Sequence, residues 1–563
     1  MNTLYYGDNL DVLRAHVKDE SVDLIYLDPP FNSARSYNVL FKEHDTESEA
    51  QIQAFEDTWR WDVKAEKTYT TLTDPNAEAH RAPEKLVMLI EALRKFLGQS
   101  DMMAYLVMMA VRLVELRRVL KPTGSLYLHC DPTAAHYLKL VLDAVFGVDH
   151  FINEITWERT VPKGLMTRRL PNNHDVIFAY SKGDEYHWNQ DVVFIPYDAD
   201  NLDEKTEKKY SLRDDDGRRY QLTSLINPNP NRPNLTYEFL GVTRVWRWIK
   251  KRMLATHEKG LVVQTRPGAV PRLKRYLDEQ RGKPIGDVWS DIPPVNSQAG
   301  ERLGYQTQKP LALLERILRL ASNEGDVVLD PFCGCGTTIH AAQHLKREWI
   351  GIDVTHLAIA IIRNRLDTTF RGVKYKVVGE PEDQSGAIAL ATSDPYQFQW
   401  WALNLIGARP VGEAVGRKGK KGMDRGIDGV IRFRDDPHAE TSERLLVSVK
   451  AGRNITPAMV RDLRGTIERE GAPIGVLFLM HKPTSEMRKE AMKAGMWKSK
   501  LWNKSYPRIQ ILTVEDAFQG KRPEYPGEDV TLSPASSSHP LKQHLGVMGG
   551  EHPLKTKGKR NPK

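Results

Sequence analysis

Cysteine is nearly missing from this sequence. Only Cys130, Cys333 and Cys335 occur in 563 residues, too few for a disulfide framework or a four-cysteine zinc site. Uncharged apolar runs of about 18 residues, long enough to cross a bilayer, are also missing. The opening segment MNTLYYGDNLDVL lacks the basic start, apolar run and small-residue cleavage site of a secretory leader. These absences predict a soluble, cytoplasmic protein with no membrane partner. No internal repeat is found.

Charge and length are what the chain has in quantity. Lys and Arg total 81 against 73 acidic residues, a net charge of +8 and a pI near 9.0. That balance favours a polyanionic partner, nucleic acid first, with a merely solvated basic surface as the alternative. The length has room for roughly three or four compact units.

Through the first 380 residues, short β-branched and aromatic runs alternate with helical stretches. This predicts an α/β fold, a mostly parallel sheet with helices on both faces. Strands are expected at Thr3–Tyr6, Val22–Leu27, Ser125–His129, Val176–Tyr180, Val327–Leu329 and Trp349–Ile352. Met102–Leu120 reads as a long apolar helix, stopped where Pro122 and Gly124 cannot continue it. Two stretches interrupt the alternation: residues 43 to 100, polar and helical in character, and residues 190 to 300, rich in Arg, Lys, Trp and Pro-Asn turns. In the second, Arg244, Trp246, Arg247, Trp248, Lys250, Lys251 and Arg252 interleave cations with indoles, as a surface for phosphates and bases would. Core packing of Trp246 is the alternative. After a polar linker at 380 to 386, the alternation resumes, so a second domain is expected over 390–520. Residues 521–563, rich in Pro, Ser, His and Lys, read as a disordered basic tail.

Asp28-Pro29-Pro30-Phe31 follows the apolar Val22–Leu27 run, at the carboxyl end of a buried strand, where open α/β sheets bind ligands. These residue types suit methylation of an exocyclic amine, whose lone pair is delocalised into its ring until two acceptors hold its N–H bonds. The Asp28 carboxylate supplies one acceptor and the Pro29 carbonyl the other. Pro30 stiffens the turn, and Phe31 stacks on an extruded base. An ordinary Asp-Pro-Pro turn is the plain alternative.

A second motif, Asp330-Pro331-Phe332-Cys333-Gly334-Cys335-Gly336-Thr337-Thr338, leaves another buried strand and enters a helix. Gly334 and Gly336 allow close backbone approach, and the helix start offers N–H groups to a carboxylate such as that of S-adenosylmethionine. Asp353 ends the next strand about twenty residues on, where an acid accepts hydrogen bonds from ribose hydroxyls.

Together these motifs resemble the amino-methyltransferases of DNA in the β arrangement, in which the catalytic motif precedes the cofactor motif. Gly7-Asp8-Asn9 and Ser21 to Asn32 match the family's opening, and Gln306-Thr307-Gln308-Lys309-Pro310-Leu311 matches the segment before its cofactor loop. The likeness spans about 1–380. It implies a Rossmann-like fold that uses S-adenosylmethionine, with residues 190–300 as target-recognition region. It gives Asp28 to Phe31 the catalytic role, Asp8 the cofactor's adenine, and Asp353 its ribose. Thr307, Lys309, Asp330, Phe332, Gly334, Gly336 and Thr337 take the methionine end. In this family an Asp before Pro-Pro usually accompanies adenine and a Ser more often cytosine, which points to N6 of adenine. Cys333 and Cys335 are expected to pack rather than bind metal.

In the second domain, Asp428 opens one predicted strand and Lys450 ends the next. This pair resembles Mrr-like nucleases of the PD-(D/E)xK class, a smaller α/β fold of restriction-endonuclease type. The resemblance implies Mg²⁺ on Asp428 and a catalytic Lys450. Val460 to Gly465 resembles that family's helix. Ser448 departs from it, standing where Glu or Gln is usual. Arg417, Lys418, Lys420 and Lys421 beside this site are expected on phosphates or in solvent.

The expected activity is therefore site-specific methylation of double-stranded DNA with base flipping, with a fused endonuclease as a further option. The alternatives are N4-cytosine methylation with a C-terminal domain that only binds DNA, a protein-glutamine methyltransferase, and a nonenzymatic DNA-binding protein. Oligomeric state is left open, a dimer included.

Overall fold

Apolar runs in the first 380 residues do form strands, and helices cover both faces of their sheet. The computed structural model describes residues 2–30, 35–43, 46–57, 60–76, 82–160, 170–296, 301, 308–411, 426–436 and 442–529, with backbone alone for 35–43, 46–57 and 528–529. Two units are distinguished, one drawn from residues up to Ser36, Glu56–Pro294 and Lys309–Glu380, the other chiefly from Pro381 onward.

The first unit is built on a nine-stranded sheet. Its order is Val288–Trp289, Phe151–Glu158, His174–Ser181, Leu120–Cys130, Val22–Leu27, Val327–Asp330, Glu348–Asp353, Thr3–Tyr6 and Lys376–Val378. Neighbours run parallel except around His174–Ser181, which is antiparallel to both flanking strands. Successive side chains of a strand face opposite sides, so a buried parallel strand feeds two cores. Ile25 and Leu27 join the apolar cluster that includes the Asp101–Val119 helix, and Leu24 and Tyr26 join the one that includes Leu311–Ala321. The Asp101–Val119 helix is buried on nearly every side, capped at its start by Ser100, whose hydroxyl accepts from Met103 N–H. Among the described residues no helix is long and apolar enough to cross a membrane.

Residues 43 to 100 are only partly helical. Val63–Thr73 and Glu84–Leu97 are helices, whereas Arg35–Glu43 and Thr46–Asp57 pair as strands. The signal was present as alternation: Ala50, Ile52 and Ala54 are separated by Gln51 and Gln53, a period of two. Within 190–300, a four-stranded sheet and the hairpin Thr236–Phe239/Val242–Val245 accompany a small core of Leu225, Phe239, Trp246, Met253 and Val262.

The second unit holds a separate sheet, ordered Arg409–Pro410, Gly429–Arg434, Glu443–Lys450, Ile474–Leu479 and Ile509–Thr513. Its first helix, Gln384–Ser393, begins inside the stretch expected to be a linker, because Asp383 accepts from Gly386 N–H as an N-cap. The stretch expected to begin the tail also contributes: Glu528–Asp529 pairs with Phe433–Arg434, and the Tyr525 ring packs on Phe433. Residues 530–563 lie outside the described residues.

Candidate functional site

Four parallel strands deliver acids to one edge of the sheet. Asp28 follows Val22–Leu27, Asp330 ends Val327–Asp330, Asp353 ends Glu348–Asp353, and Gly7-Asp8 follow Thr3–Tyr6. Carboxyl ends of adjacent parallel strands are where such sheets bind ligands. Pro29 is buried and Asp28 half-buried. Asp28 Oδ2 accepts a 2.5 Å bond from Lys309 Nζ, while Oδ1 is buried and has no hydrogen-bond partner among the described residues. Lys309, expected at the cofactor's methionine end, pairs with Asp28, both side chains mostly buried. Phe31 and Thr307 lie outside the described residues.

The glycine loop is braced from two sides. Gly334 and Gly336 have φ of 49° and 75°, left-handed values that favour glycine, and a Cβ on Gly336 would come within 2.6 Å of Ile362 Cγ1. Gly334 N–H donates to Asp353 Oδ2 (2.9 Å), and Arg365 Nη1 reaches the Cys335 carbonyl and Thr337 Oγ1 (3.3 Å each). Among the described residues no side chain caps the Thr337–His344 helix. Asp353 Oδ1 holds the backbone and hydroxyl of Thr355, and Oδ2 keeps acceptor capacity beyond Gly334 for a hydroxyl. An uncapped helix start, a close-approach loop and an acid with a spare acceptor site fit a ligand bearing a carboxylate and a ribose.

Burial pushes the Asp330 carboxyl up to about 7, reinforced by the charges of Asp28 and Asp353 and opposed by bonds from Thr338 and Phe332 N–H. Burial likewise raises the Cys333 and Cys335 thiols. Both cysteines are buried, and no group of three His, Cys, Asp or Glu among the described residues is placed to hold a metal.

Asp8 reveals a residue that motif reading missed. It caps the Asn9–His16 helix and receives Arg112 Nη2 at 2.7 and 3.0 Å on its two oxygens. Arg112 Nε also donates to Asn9 Oδ1 (2.5 Å), and Asn9 Nδ2 donates to the Pro331 carbonyl (2.8 Å). One buried guanidinium thus ties the Asp8 turn to the Asp330 loop. Its signal was a lone cation in the middle of an apolar helix. A second missed set lies beside Asp28: the Tyr26 hydroxyl meets His129 Nδ1 (2.8 Å), and His129 Nε2 meets Asp175 Oδ2 (3.1 Å), all three side chains buried. There the signal was polar residues interrupting apolar strands.

In the recognition stretch the indoles separate. Trp246 is fully buried, its Nε1 donating to the Tyr237 carbonyl, so it is core and not a stacking platform. Trp248 is half-buried under the Arg252 guanidinium (4.3 Å), and Arg244 and Arg247 are exposed.

In the second unit Asp428 is held entirely by protein donors. Gln399 Nε2 reaches Oδ1 (2.7 Å), Val449 N–H and Ser448 Oγ reach Oδ2 (2.7 and 3.2 Å), and Lys450 Nζ lies 3.9 Å away. The expected Mg²⁺ does not fit these residues well, because magnesium needs several oxygen ligands and here a single carboxylate, already engaged by three protein donors, stands without a second acid among the described residues. Asp428 and Lys450 do come together, as expected from the strands. Arg417, Lys418, Lys420 and Lys421 lie outside the described residues.

Several known proteins are similar to this chain. The type II methyltransferase M.HpaI of Haemophilus parainfluenzae is 38% identical over 300 residues, covering 53% of this chain and 71% of that protein. The type II methyltransferase M.EcaI of Enterobacter cloacae is 28% identical over 369 residues, 65% of this chain and 69% of that protein. Among solved structures, a putative DNA modification methylase from Thermus thermophilus, complexed with S-adenosyl-L-methionine, shares 17% identity over 67% of this chain and 100% of that chain, with a TM-score of 0.32. Residues 411–516 match a family described as NACHT-associated inactive Restriction Endonuclease 1. Residues 22–364, more than half of the sequence, match the DNA methylase family of N6 and N4 enzymes, and the chain belongs to that family.

Proposed function

We propose that this chain methylates N6 of adenine in double-stranded DNA, acting on a base turned out of the duplex. One observation carries the reading: Asp28 Oδ1 is a buried acceptor with no partner among the described residues, beside the rigid Pro29-Pro30 turn. A buried, unsatisfied acceptor costs about 1 to 3 kcal/mol, so a site that keeps one has a donor to receive. An exocyclic amine is that donor. With one N–H on Oδ1 and the other on the Pro29 carbonyl, the nitrogen is drawn toward a pyramidal geometry and its lone pair is freed from the ring. Lys309 keeps Oδ2 engaged, so the amine meets a single acceptor oxygen. Phe31 then stacks on the base, an interaction of about 1 to 3 kcal/mol that offsets part of the unstacking.

S-adenosylmethionine, when bound, supplies an electrophilic methyl carbon. Asp8 would hold its adenine and Asp353 its ribose. Thr307, Asp330, Phe332, Gly334, Gly336 and Thr337 would hold the methionine end. Arg112 and Arg365 brace these turns. Adenine is preferred to cytosine because an acid, not a serine, precedes Pro-Pro. Mass spectrometry of hydrolysed product DNA tests this: N6-methyladenine is expected, and N4-methylcytosine alone would overturn the base assignment while leaving the amine chemistry.

For the second unit we infer DNA binding without cleavage. The Asp428 carboxylate, engaged by three protein donors, and Ser448 in place of an acid support it. Cutting of unmethylated DNA by the full chain with Mg²⁺ would overturn it.

A further inference from the structure

In the second unit Met496–Lys498 pairs with Ser505–Pro507 as a two-stranded ribbon, Trp497 opposite Tyr506. Its side chains alternate. Trp497 packs inward, its ring centroid 6.0 Å from Phe433 and 6.3 Å from Tyr506, and Ser499 is buried. Met496, Lys498 and Lys500 take the opposite, exposed positions, and Lys504 on the return is exposed too. The connecting turn carries Leu501 and Trp502, 55% and 53% exposed. From Met496 to Arg508 the sequence contains Lys498, Lys500, Lys504 and Arg508 and no acid.

The turn is fastened in place. Asp435 Oδ1 accepts from Ser499 Oγ (2.5 Å) and Oδ2 from Lys500 N–H (2.9 Å). Trp502 N–H donates to Ser499 Oγ, and the indole Nε1 to the Asp435 carbonyl, both 3.0 Å. These bonds hold Leu501 and Trp502 in solvent, where a looser turn would let them fold back on apolar surface. Apolar groups fixed in water on a ribbon that also exposes Lys498, Lys500 and Lys504 form a surface organised in advance for a partner. Asp435 meanwhile spends both oxygens on the turn.

We propose that this ribbon is a duplex-DNA contact of the second unit, with Lys498, Lys500 and Lys504 on phosphates and Leu501 and Trp502 against bases or sugars. A groove of B-DNA admits a two-stranded ribbon, and apolar or aromatic side chains insert at base steps. An unbroken set of cations complements a polyanion better than a second copy of this chain. The inference rests on the DNA methylase reading above.

The test uses the full chain, a fluorescent duplex and three variants. Replacing Lys498, Lys500 and Lys504 together by Gln should weaken binding about tenfold or more and make the slope of log affinity against log salt shallower by about two to three. Trp502→Ala should weaken binding about tenfold, and Trp502→Phe, which keeps an aromatic ring but loses the indole bond to Asp435, should restore only part of it. S-adenosylmethionine affinity and thermal midpoint should stay at parent values. Unchanged DNA affinity and salt slope in the triple variant would overturn the proposal, as would a change confined to sedimentation behaviour, which would make the ribbon a self-contact. A parent chain that binds no duplex would overturn the methylase reading itself, a separate outcome.

Discussion

Lys309 Nζ lies 2.5 Å from Asp28 Oδ2, while Asp28 Oδ1 is left without a donor among the described residues. The ammonium divides one carboxylate into a structural oxygen and a working one. Removing either partner therefore has a different consequence for stability and for rate.

Lys309→Met should leave a mostly buried carboxylate unpaired, at a cost of about 3 to 5 kcal/mol. Methyl transfer should fall about 10- to 100-fold, because Asp28 is no longer fixed in orientation. Asp28→Asn should abolish transfer yet keep S-adenosylmethionine binding within a few-fold. The double variant should regain much of the stability lost by Lys309→Met, since it removes the orphaned charge. A double-mutant cycle by thermal unfolding measures this, and additive losses would contradict the pairing.

Arg112 is expected to act through the ligand-binding turns. It spans Asp8 and Asn9, and Asn9 holds the Pro331 carbonyl, so Arg112→Met frees two turns at once. Cofactor affinity by calorimetry should drop about tenfold or more, and unfolding free energy by about 2 to 4 kcal/mol. Arg112→Lys should not rescue affinity, because an ammonium lacks the fork that reaches both partners. Parent-like affinity in Arg112→Lys would show that the fork is dispensable.

How far the site was legible follows from which contacts are local. Asp28, Asp330 and Asp353 were placed by apolar runs that end in an acid, a pattern within a few residues. The Lys309–Asp28 and Arg112–Asp8 pairs join positions 281 and 104 residues apart, and only the strand order brings them together. Trp246 and Trp248 share one local composition, yet Trp246 is fully inside the small core while Trp248 packs only at its margin, under Arg252. The Arg35–Glu43 and Thr46–Asp57 strands were missed because polar composition was weighed above alternation.

Asp330 gives a pH signature with a definite sign. Its carboxyl is raised to about 7 in the folded chain, above the value near 3.9 of an unfolded aspartate. Below pH 4 both states are protonated and there is no penalty. Between 4 and 7 the unfolded chain ionises first, so folding becomes less favourable as pH rises, and the penalty is complete above 7. Asp330→Asn lacks this titration. Its stability relative to the parent should therefore improve from pH 5 to pH 8, by about 3 kcal/mol as an order of magnitude. Thermal or urea unfolding at the two pH values checks this, and a constant difference would place the ionised form in the fold at both.

Ser448 donates to Asp428 Oδ2 from a position that is 4% exposed, so it occupies the place where an acid would otherwise stand. In Ser448→Glu a second carboxylate would be buried beside the first, with like charges repelling and a donor lost. The variant should unfold several degrees below the parent without divalent ions. Millimolar Mg²⁺ should recover much of that loss, because two carboxylates and retained waters make an acceptable magnesium site. The parent should show no Mg²⁺-dependent shift, since Gln399, Ser448 and Val449 already occupy the Asp428 oxygens. Differential scanning fluorimetry with and without Mg²⁺ separates the two, and EDTA should reverse the shift in the variant. A parent chain stabilised by Mg²⁺, or one that cuts unmethylated duplex with it, would mean that Asp428 exchanges its protein donors for the ion. The second unit would then be a working nuclease and not a DNA-binding module.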